Sequence, residues 1–248
     1  MTTTSVMMVT FNRIELTKRM LNNFFQVTTS PYNLIIVDNG STDGTVEYLK
    51  NINKHDFSFC QDLRLHFNEE NKGIASGRNK GLKIADQYGD PYLATIDNDV
   101  EMPMNWLQNC IDIIEKNSNY SIGVNMEDVN YPSITKNGKT FQHKERGNLG
   151  SACMVFSREL HNKIGFFYGY GGKYATEDAD WGMRSKLAGY HIGYLSENGV
   201  HFGVGDVDTG EYREWKTACH AKNLVPFQQR CYDYMSKKIP IFITYSEE

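Results

Sequence analysis

The chain has 248 residues, of which 40% are hydrophobic and 23% charged, and its formal net charge at pH 7 is -4. This length and composition allow a sizeable buried core and exclude a disulfide-stapled miniprotein, a disordered chain and a coiled coil. The acidic balance lacks the basic excess on which phosphate-driven nucleic-acid binding depends, although a local basic patch stays open.

Cysteine usage and hydropathy bear on the compartment in which the chain works. The five cysteines include no C-x-x-C pair, so we expect free thiols in a reducing compartment. The apolar run at residues 6–9 lacks a basic n-region, and the longest other apolar stretches fall far below the ~18 residues of a membrane-spanning helix. We therefore expect a soluble, cytoplasmic protein without a transmembrane segment.

Apolar runs alternate with amphipathic stretches up to about residue 116. The runs that predict strands are residues 6–9, 34–37, 63–67 and 92–96. The stretches that predict helices are residues 14–25, 45–53 and 74–87. Buried strands joined by helices form a parallel sheet with right-handed crossovers, and such sheets bind ligands at the carboxyl ends of their strands.

The pattern changes after residue 116. Residues 121–124, the turn Lys136-Asn137-Gly138-Lys139 and residues 149–156 indicate antiparallel strands. The elements expected after them are a Gly- and aromatic-rich loop at 165–172, a helix at about 178–188, a strand at 191–195 and a Tyr-rich helical tail. Because no internal repeat or Pro-rich linker divides the chain, we expect a single domain.

Two carboxylates follow the fourth predicted strand. Asp97 and Asp99 stand two residues apart, directly after this buried run. Carboxylates at this spacing can share a divalent cation, because Mg²⁺ and Mn²⁺ take oxygen ligands and commonly join one or two carboxylates to substrate phosphates. A polar turn with a helix cap explains an isolated pair of this kind more often, so the pair gains its weight from its context.

Polar residues also follow the first and second predicted strands. Thr10 ends the first strand, and Asp38 and Asn39 end the second. Asp38 or Asn39 could accept a hydrogen bond from a nucleobase N–H, while residues 41–43 cap the next helix. Arg78, in the third predicted helix, could donate a bidentate pair of hydrogen bonds to a diphosphate or lie on a solvated helix face.

Three carboxylates stand together where a helix is expected to begin near residue 178. Glu177, Asp178 and Asp180 lie at the positive end of the helix dipole, which favours ionised carboxylates. Helix capping explains one of them, and Arg184 lies four residues after Asp180 as an ordinary helix pair. A carboxylate in this cluster could serve as the general base for an acceptor hydroxyl.

Five strings in this order closely resemble the GT-A nucleotide-sugar glycosyltransferases of the family 2 type. They are residues 9–13, 37–45, 73–82, 97–99 and 177–184, and the resemblance covers about residues 5–203. It implies the GT-A form of the α/β class: a Rossmann-like, mainly parallel central sheet flanked by helices, with a smaller antiparallel acceptor-side lobe. Within one domain, residues 1–248, it implies a nucleotide-sugar-binding half at 1–116, an acceptor-side half at 117–205 and a C-terminal helical tail at 206–248.

The resemblance also implies the residues that bind the donor. Thr10, together with Asp38 and Asn39, would hold the base, and Asp97 would lie near the ribose or the metal. Asp99 would ligate the metal, which is Mn²⁺ or Mg²⁺, and His201 would complete the metal shell if it is not a structural histidine. Many relatives carry Asp-Asp where this chain has Asp38-Asn39, so the selectivity for the base stays open, although an Asn carbonyl can still accept from N–H.

On the acceptor side, the resemblance implies that Asp178 is the base of an inverting displacement. Glu177 and Asp180 are then candidates for binding the acceptor or for holding loops. Trp181 could stack on an acceptor sugar, although an aromatic side chain at this position is more often core packing.

We therefore expect an inverting, metal-dependent glycosyltransferase that moves a sugar from a nucleoside diphosphate sugar, with a UDP-sugar favoured, to an acceptor hydroxyl. A glycan or lipid-linked acceptor is favoured over a protein or a modified nucleic acid. A sugar-1-phosphate nucleotidyltransferase is the alternative enzyme, but residues 10–13 lack the glycine-rich loop of that class. The alternative without catalysis is an inactive nucleotide- or carbohydrate-binding module.

Overall fold

The computed structural model describes residues 2–126, 129–145, 150, 152–202 and 210–246. The strands are β1 (Thr4–Thr10), β2 (Tyr32–Asp38), β3 (Cys60–Phe67), β4 (Tyr92–Asp97), β5 (Val100–Glu101), β6 (Tyr120–Gly123), β7 (Ser133–Lys136), β8 (Lys139–Lys144), β9 (Cys153–Ser157), β10 (His191–Tyr194) and β11 (Val200–His201). The helices are α1 (Ile14–Val27), α2 (Thr45–Lys50), α3 (Ile74–Ala85), α4 (Trp106–Lys116), α5 (Arg158–Ile164), α6 (Glu177–Leu187) and α7 (Gly210–Met235). The first residues of the strand predicted at 149–156 and of the tail predicted at 206–248 lie outside the described residues.

Nine strands form one sheet in the order β3-β2-β1-β4-β9-β6-β10-β8-β7. Strand β1 is parallel to β2 on one side and to β4 on the other, with Thr10 opposite Asp38 and Val9 opposite Asp97. The chain therefore winds outward from β1 through β2 and β3 and then returns to the other side of β1. The carboxyl ends of β1 and β4 form a topological switch point, where sheets of this kind bind ligands.

Two apolar layers cover the sheet because alternate side chains of the buried strands point to opposite faces. On one face, Met8 of β1 and Ile36 of β2 pack with α1 and α4. On the other face, Met7 and Ile35 pack with α3, α5 and α6. The predicted α/β class with helices flanking a central, largely parallel sheet is confirmed.

Helix α3 lies close against β1 because two glycines face the strand. A Cβ atom added at Gly77 would lie 2.7 Å from Cγ1 of Val9, and one added at Gly81 would lie 3.2 Å from Cβ of Met7. Arg78 follows Gly77 directly, so the close approach brings its guanidinium to the carboxyl ends of β1 and β4.

The second half of the chain extends the same sheet. The predicted hairpin is confirmed between β7 and β8, where Asn137 and Gly138 have φ angles of 49° and 77°, as a turn of type I′ requires. Strand β6 is antiparallel to β9, as expected, but parallel to β10. Strand β11, which carries His201, lies outside the large sheet because it pairs with β5.

None of the helices in the described ranges is long and apolar enough to cross a membrane.

Candidate functional site

A cleft of 740 Å³ opens at the carboxyl ends of β1 and β4. Its walls are the loops that follow these strands, the start of α3, the segment that leads into α6, and one side of α7. The predicted site residues that line it are Thr10, Asn39, Arg78, Asp97, Asp99, Glu177, Asp178 and His201. The structure therefore places most of the predicted residues in one cleft, at the place that the sheet topology favours.

Asp97, Asp99 and His201 form a cluster with the composition of a metal site. Their ligand atoms all lie within 4.8 Å of one another, and Nε2 of His201 is 3.6 Å from Oδ1 of Asp99. The pairing of β11 with β5 sets His201 opposite Val100, the residue after Asp99. Two carboxylates and an imidazole, with room for substrate oxygens in the cleft, fit Mn²⁺ or Mg²⁺.

Arg13 contacts this cluster, although the sequence predicted no role for it. Its Nη1 lies 3.0 Å from Oδ2 of Asp99. Burial raises the pKa of Asp99, as does the neighbouring charge of Asp97, while His201 and Arg13 act in the opposite direction. Arg13 and the preceding Asn12 both have left-handed backbone, with φ of 62° and 56°. Consecutive residues in this sparsely populated region concentrate at functional sites.

Arg78 lies between two carboxylates instead of facing the cleft with unoccupied donors. Its side chain is only 4% exposed; Nη1 donates to Oε1 of Glu177 at 2.7 Å, and Nη2 donates to Oδ1 of Asp97 at 2.8 Å. The expected bidentate donation to a diphosphate is not supported, because both terminal nitrogens already have carboxylate partners. In the structure Arg78 joins the end of β4 to the start of α6.

Asp38 and Asn39 organise the loops around the cleft. The carboxylate of Asp38 is fully buried and accepts from the backbone N–H groups of Gly40 and Ser41 and from the Ser41 hydroxyl. Asp38 does not line the cleft, so a direct contact between Asp38 and the base is not supported. Asn39 does line it, and its amide nitrogen donates to the Gly73 carbonyl at 3.0 Å.

Thr10 is also tied into the wall of the cleft. Its hydroxyl accepts from the amide of Asn98 at 3.1 Å and lies 3.1 Å from the hydroxyl of Thr17 on α1. Asn98 stands between the two aspartates of the cluster, so this contact fixes the loop that carries them. Base contacts by Thr10 and Asn39 stay predictions.

Glu177 begins α6 and is buried beside Arg78. Its Oε1 accepts from Arg78, while Oε2 is buried without a hydrogen-bond partner among the described residues. Burial, and then the charge of Asp178, raise the pKa of Glu177 to about 7. The two preceding residues, Ala175 and Thr176, have left-handed φ angles of 78° and 74°, which is uncommon for a β-branched residue such as Thr176.

Asp178 and Asp180 differ sharply in their surroundings. Asp178 is half-buried and lines the cleft, and its Oδ1 accepts from the backbone N–H of Ala179 at 2.7 Å. Asp180 is fully buried; it accepts from Nε of Arg184 at 2.5 Å and from the hydroxyls of Tyr170 and Tyr234 at 2.8 and 3.1 Å. Of the two roles expected for Asp180, the structure supports holding loops and not contact with an acceptor, because this buried carboxylate joins α6 to α7 and to the loop at Tyr170.

Trp181 belongs to the core. Its side chain is fully buried, and its ring packs on Phe156 and Phe167 at centroid distances of 4.9 and 6.1 Å. The expectation that Trp181 stacks on an acceptor sugar is therefore wrong. Trp181 belongs to the apolar layer that covers one face of the sheet.

Helix α7 forms a wall of the cleft that the sequence did not indicate. The side chains that it contributes are Trp215, Lys216, His220, Leu224 and Phe227. Asn223 of α7 donates to the carbonyls of Tyr174 and Ala175 at 3.0 and 3.1 Å, which ties the helix to the segment before α6. The clustering of aromatic residues in the tail was the available signal, but it does not specify which surface the tail covers.

The sheet with its switch-point cleft and its aspartate and histidine cluster defines a GT-A protein, and the similarities to known proteins agree. The family model for glycosyl transferase family 2 matches residues 5–173, and the chain belongs to this family. Glycosyltransferase AglE of Haloferax volcanii is 28% identical over 209 residues, which are 78% of this chain and 64% of AglE. The glucosyl-dolichyl phosphate glucuronosyltransferase of the same organism is 31% identical over 115 residues, which cover 46% of this chain and 34% of that protein.

Solved structures share the fold. The mannosyltransferase PcManGT of Pyrobaculum calidifontis, in complex with GDP-Man and Mn²⁺, superposes with a TM-score of 0.65 at 19% identity. The match covers 86% of this chain and 59% of the PcManGT chain. S. aureus TarS 1–349 in complex with UDP-GlcNAc gives a TM-score of 0.59 at 19% identity. The match covers 86% of this chain and 64% of the TarS chain. The chain thus spans about two thirds or less of the length of these relatives.

The different surroundings of Asp178 and Asp180 predict opposite effects on stability. Asp180→Asn leaves Arg184 as a buried charge without its carboxylate, and we expect the free energy of unfolding to fall by about 3 kcal/mol. Asp178→Asn is the matched control, and we expect it to stay within about 0.5 kcal/mol of the parent. Urea denaturation followed by circular dichroism measures both values. Equal stability of the two variants would contradict the structural role of Asp180.

The raised pKa of Glu177 predicts a pH-dependent penalty on stability. A carboxyl whose pKa is higher in the folded chain than in the unfolded chain loses its stabilising contribution as the pH rises between the two values, here from 4.5 to about 7. We therefore expect the unfolding free energy of the parent to fall relative to that of Glu177→Gln over this range, by on the order of 2 kcal/mol. Urea denaturation in EDTA at both ends of the range tests this, with the exposed Glu47→Gln as the control. A constant difference between the parent and Glu177→Gln would refute the assignment.

Proposed function

We propose that this chain is an inverting glycosyltransferase that uses Mn²⁺ or Mg²⁺ and transfers a sugar from a nucleoside diphosphate sugar to an acceptor hydroxyl. One observation carries the proposal: the cluster of Asp97, Asp99 and His201 and the carboxylate of Asp178 line the same switch-point cleft. A metal cluster at such a cleft suits a diphosphate. A carboxylate in the same cleft suits the removal of a proton from a hydroxyl.

The donor would bind with its diphosphate at the cluster. Asp97, Asp99 and His201 would hold the cation, which when bound neutralises charge on the diphosphate. Arg78 orients Asp97 through its hydrogen bond to Oδ1, and it is in turn held by Glu177. The chain thus fixes the orientation of one cluster carboxylate before the donor arrives.

The transfer itself is a single displacement. The oxygen of the acceptor hydroxyl forms a bond to C1 of the sugar while the bond from C1 to the diphosphate oxygen breaks. The electron pair of the broken bond leaves with the nucleoside diphosphate, and the hydroxyl proton passes to Asp178. Attack opposite the leaving group inverts the configuration at C1.

Of the three carboxylates of α6, Asp178 suits the role of the base best. Asp180 is fully buried in its pair with Arg184 and does not reach the cleft. Glu177 lines the cleft, but one of its oxygens accepts from Arg78 and the other is buried. Asp178 is the half-buried member of the cluster, and it lines the cleft.

The names of relatives support the substrate classes. PcManGT was solved with GDP-Man and TarS with UDP-GlcNAc, so both nucleotides occur in proteins of this fold, and our preference for a UDP-sugar is a prediction. The name of the Haloferax volcanii glucosyl-dolichyl phosphate glucuronosyltransferase supports a lipid-linked acceptor over a protein. A cytoplasmic location is also a prediction; the absence of disulfides among the five cysteines accords with it.

The metal cluster predicts that activity depends on a divalent cation. With a panel of nucleotide sugars, we expect the parent to release nucleoside diphosphate in Mn²⁺ or Mg²⁺ and to lose this activity in excess EDTA, because the carboxylates bind the diphosphate only through the ion. Asp99→Ala should abolish turnover while its circular dichroism spectrum stays that of the parent. Asp112→Ala, on α4, is the matched control. Full turnover of the parent in EDTA would exclude the metal.

The role of Asp178 predicts a loss in the chemical step. A positioned base contributes about 10²- to 10⁴-fold, so we expect Asp178→Asn to lower kcat by at least about 100-fold while the KM for the donor stays within a few fold. Glu177→Gln tests the rival assignment, in which Glu177 is the base. NMR of the product reports the anomeric configuration. Retained configuration, or an Asp178→Asn enzyme within about tenfold of the parent, would defeat the assignment.

A further inference from the structure

The two arginines at the cluster are already engaged by carboxylates. Arg78 donates from both terminal nitrogens to Asp97 and Glu177, and its side chain is almost fully buried. Arg13 donates to Asp99 at 3.0 Å. Both guanidinium groups line the cleft, and carboxylates hold both of them in place. A cation from another element would act together with the metal ion on the charge of the leaving group.

Lys216 is a cation of the opposite wall. It lies on α7 and lines the same cleft as Asp97, Asp99 and His201. It also lies close enough to Asp99 for their charges to interact. The ammonium nitrogen lies 5.3 Å from the centroid of the ring of Tyr174, another residue that lines the cleft.

The helix that carries Lys216 is firmly positioned. Asn223 is almost fully buried and donates to the carbonyl of Tyr174, whose ring Lys216 contacts. Near the other end of the helix, the hydroxyl of Tyr234 donates to the buried Asp180 of α6. Lys216 and the proposed base on α6 therefore belong to one connected part of the structure.

We propose that Lys216 binds the diphosphate of the nucleotide sugar and stabilises it as it leaves. This inference rests on the proposed function. Negative charge grows on the diphosphate as its bond to C1 breaks, and a compact ammonium with three donors, placed beforehand, favours that charge in the transition state. Helix α7 thereby contributes to the donor site.

Nucleotide binding tests the inference without relying on turnover. Isothermal titration calorimetry with UDP and GDP, and with uridine and guanosine, is carried out in Mn²⁺ and again in EDTA. We expect Lys216→Gln to bind the preferred nucleoside diphosphate at least about tenfold more weakly than the parent in both conditions, since it lacks a charged hydrogen-bond donor. Affinity for the matching nucleoside, which has no phosphate, should not change.

Two variants of α7 complete the experiment. Lys222→Gln removes an exposed lysine of the same helix that does not line the cleft, and we expect it to bind like the parent. Lys216→Arg keeps the charge, and we expect it to recover most of the affinity. Its recovery would show that the charge matters more than the packing of the side chain.

The outcomes separate this inference from the proposed function. Diphosphate affinity of Lys216→Gln equal to that of the parent would overturn the inference alone, as would an equal loss for the nucleoside. A loss in Lys173→Gln but not in Lys216→Gln would assign the role to the other lysine that lines the cleft. If the parent bound neither UDP nor GDP in either condition, both the inference and the proposed function would be overturned.

Discussion

The buried guanidinium of Arg78 joins the two sides of the cleft. It donates to Asp97 at the end of β4 and to Glu177 at the start of α6, residues that are 80 positions apart in the chain. Burying the charge of Arg78 away from water costs free energy, and its hydrogen bonds to the two carboxylates offset that cost. The approach of α3 to β1 through Gly77 is what brings Arg78 to this position. One side chain therefore joins Asp97 of the carboxylate and histidine cluster to the start of α6, the helix that carries Asp178.

The three carboxylates of α6 show how burial assigns roles to residues of similar chemistry. Glu177 is buried beside one arginine and has a raised pKa, and Asp180 is buried in a network with Arg184 and two tyrosines. Both hold elements of the structure together. Asp178, between them in the sequence, is half-buried at the cleft, which leaves it as the carboxylate suited to exchange a proton with a substrate.

The sequence predicted the features that depend on local pattern. Alternation of apolar runs and amphipathic stretches was sufficient for the α/β class, and strand ends were sufficient to bring Thr10, Asp97 and Asp99 together. The sequence did not predict the position of a side chain where contacts with residues distant in the chain determine that position. Asp180 and Trp181 are drawn into the interior by contacts with α7 and with the sheet, which no spacing within the helix reveals.

The same reason explains why the sequence predicted a helical tail but not its place at the cleft. Its place is set by hydrogen bonds from Asn223 and Tyr234 to a segment about 50 residues earlier in the chain, and no motif records such pairs. The sequence pattern also did not predict the short strands β5 and β11, because two residues have no recognisable periodicity. Their pairing nevertheless brings His201 next to Asp99.

The boundary of the family match divides the cleft into two parts. Residues 5–173 match the family model and contain Asn39, Arg78, Asp97 and Asp99, which line the cleft. Asp178, His201 and the wall formed by α7 all lie after residue 173. Under the proposed function, α6 and α7 are the walls beside the acceptor hydroxyl, because Asp178 lies on α6 and α7 lines the same cleft. Lys216, also on α7, would then place a positive charge for the departing diphosphate on the same wall.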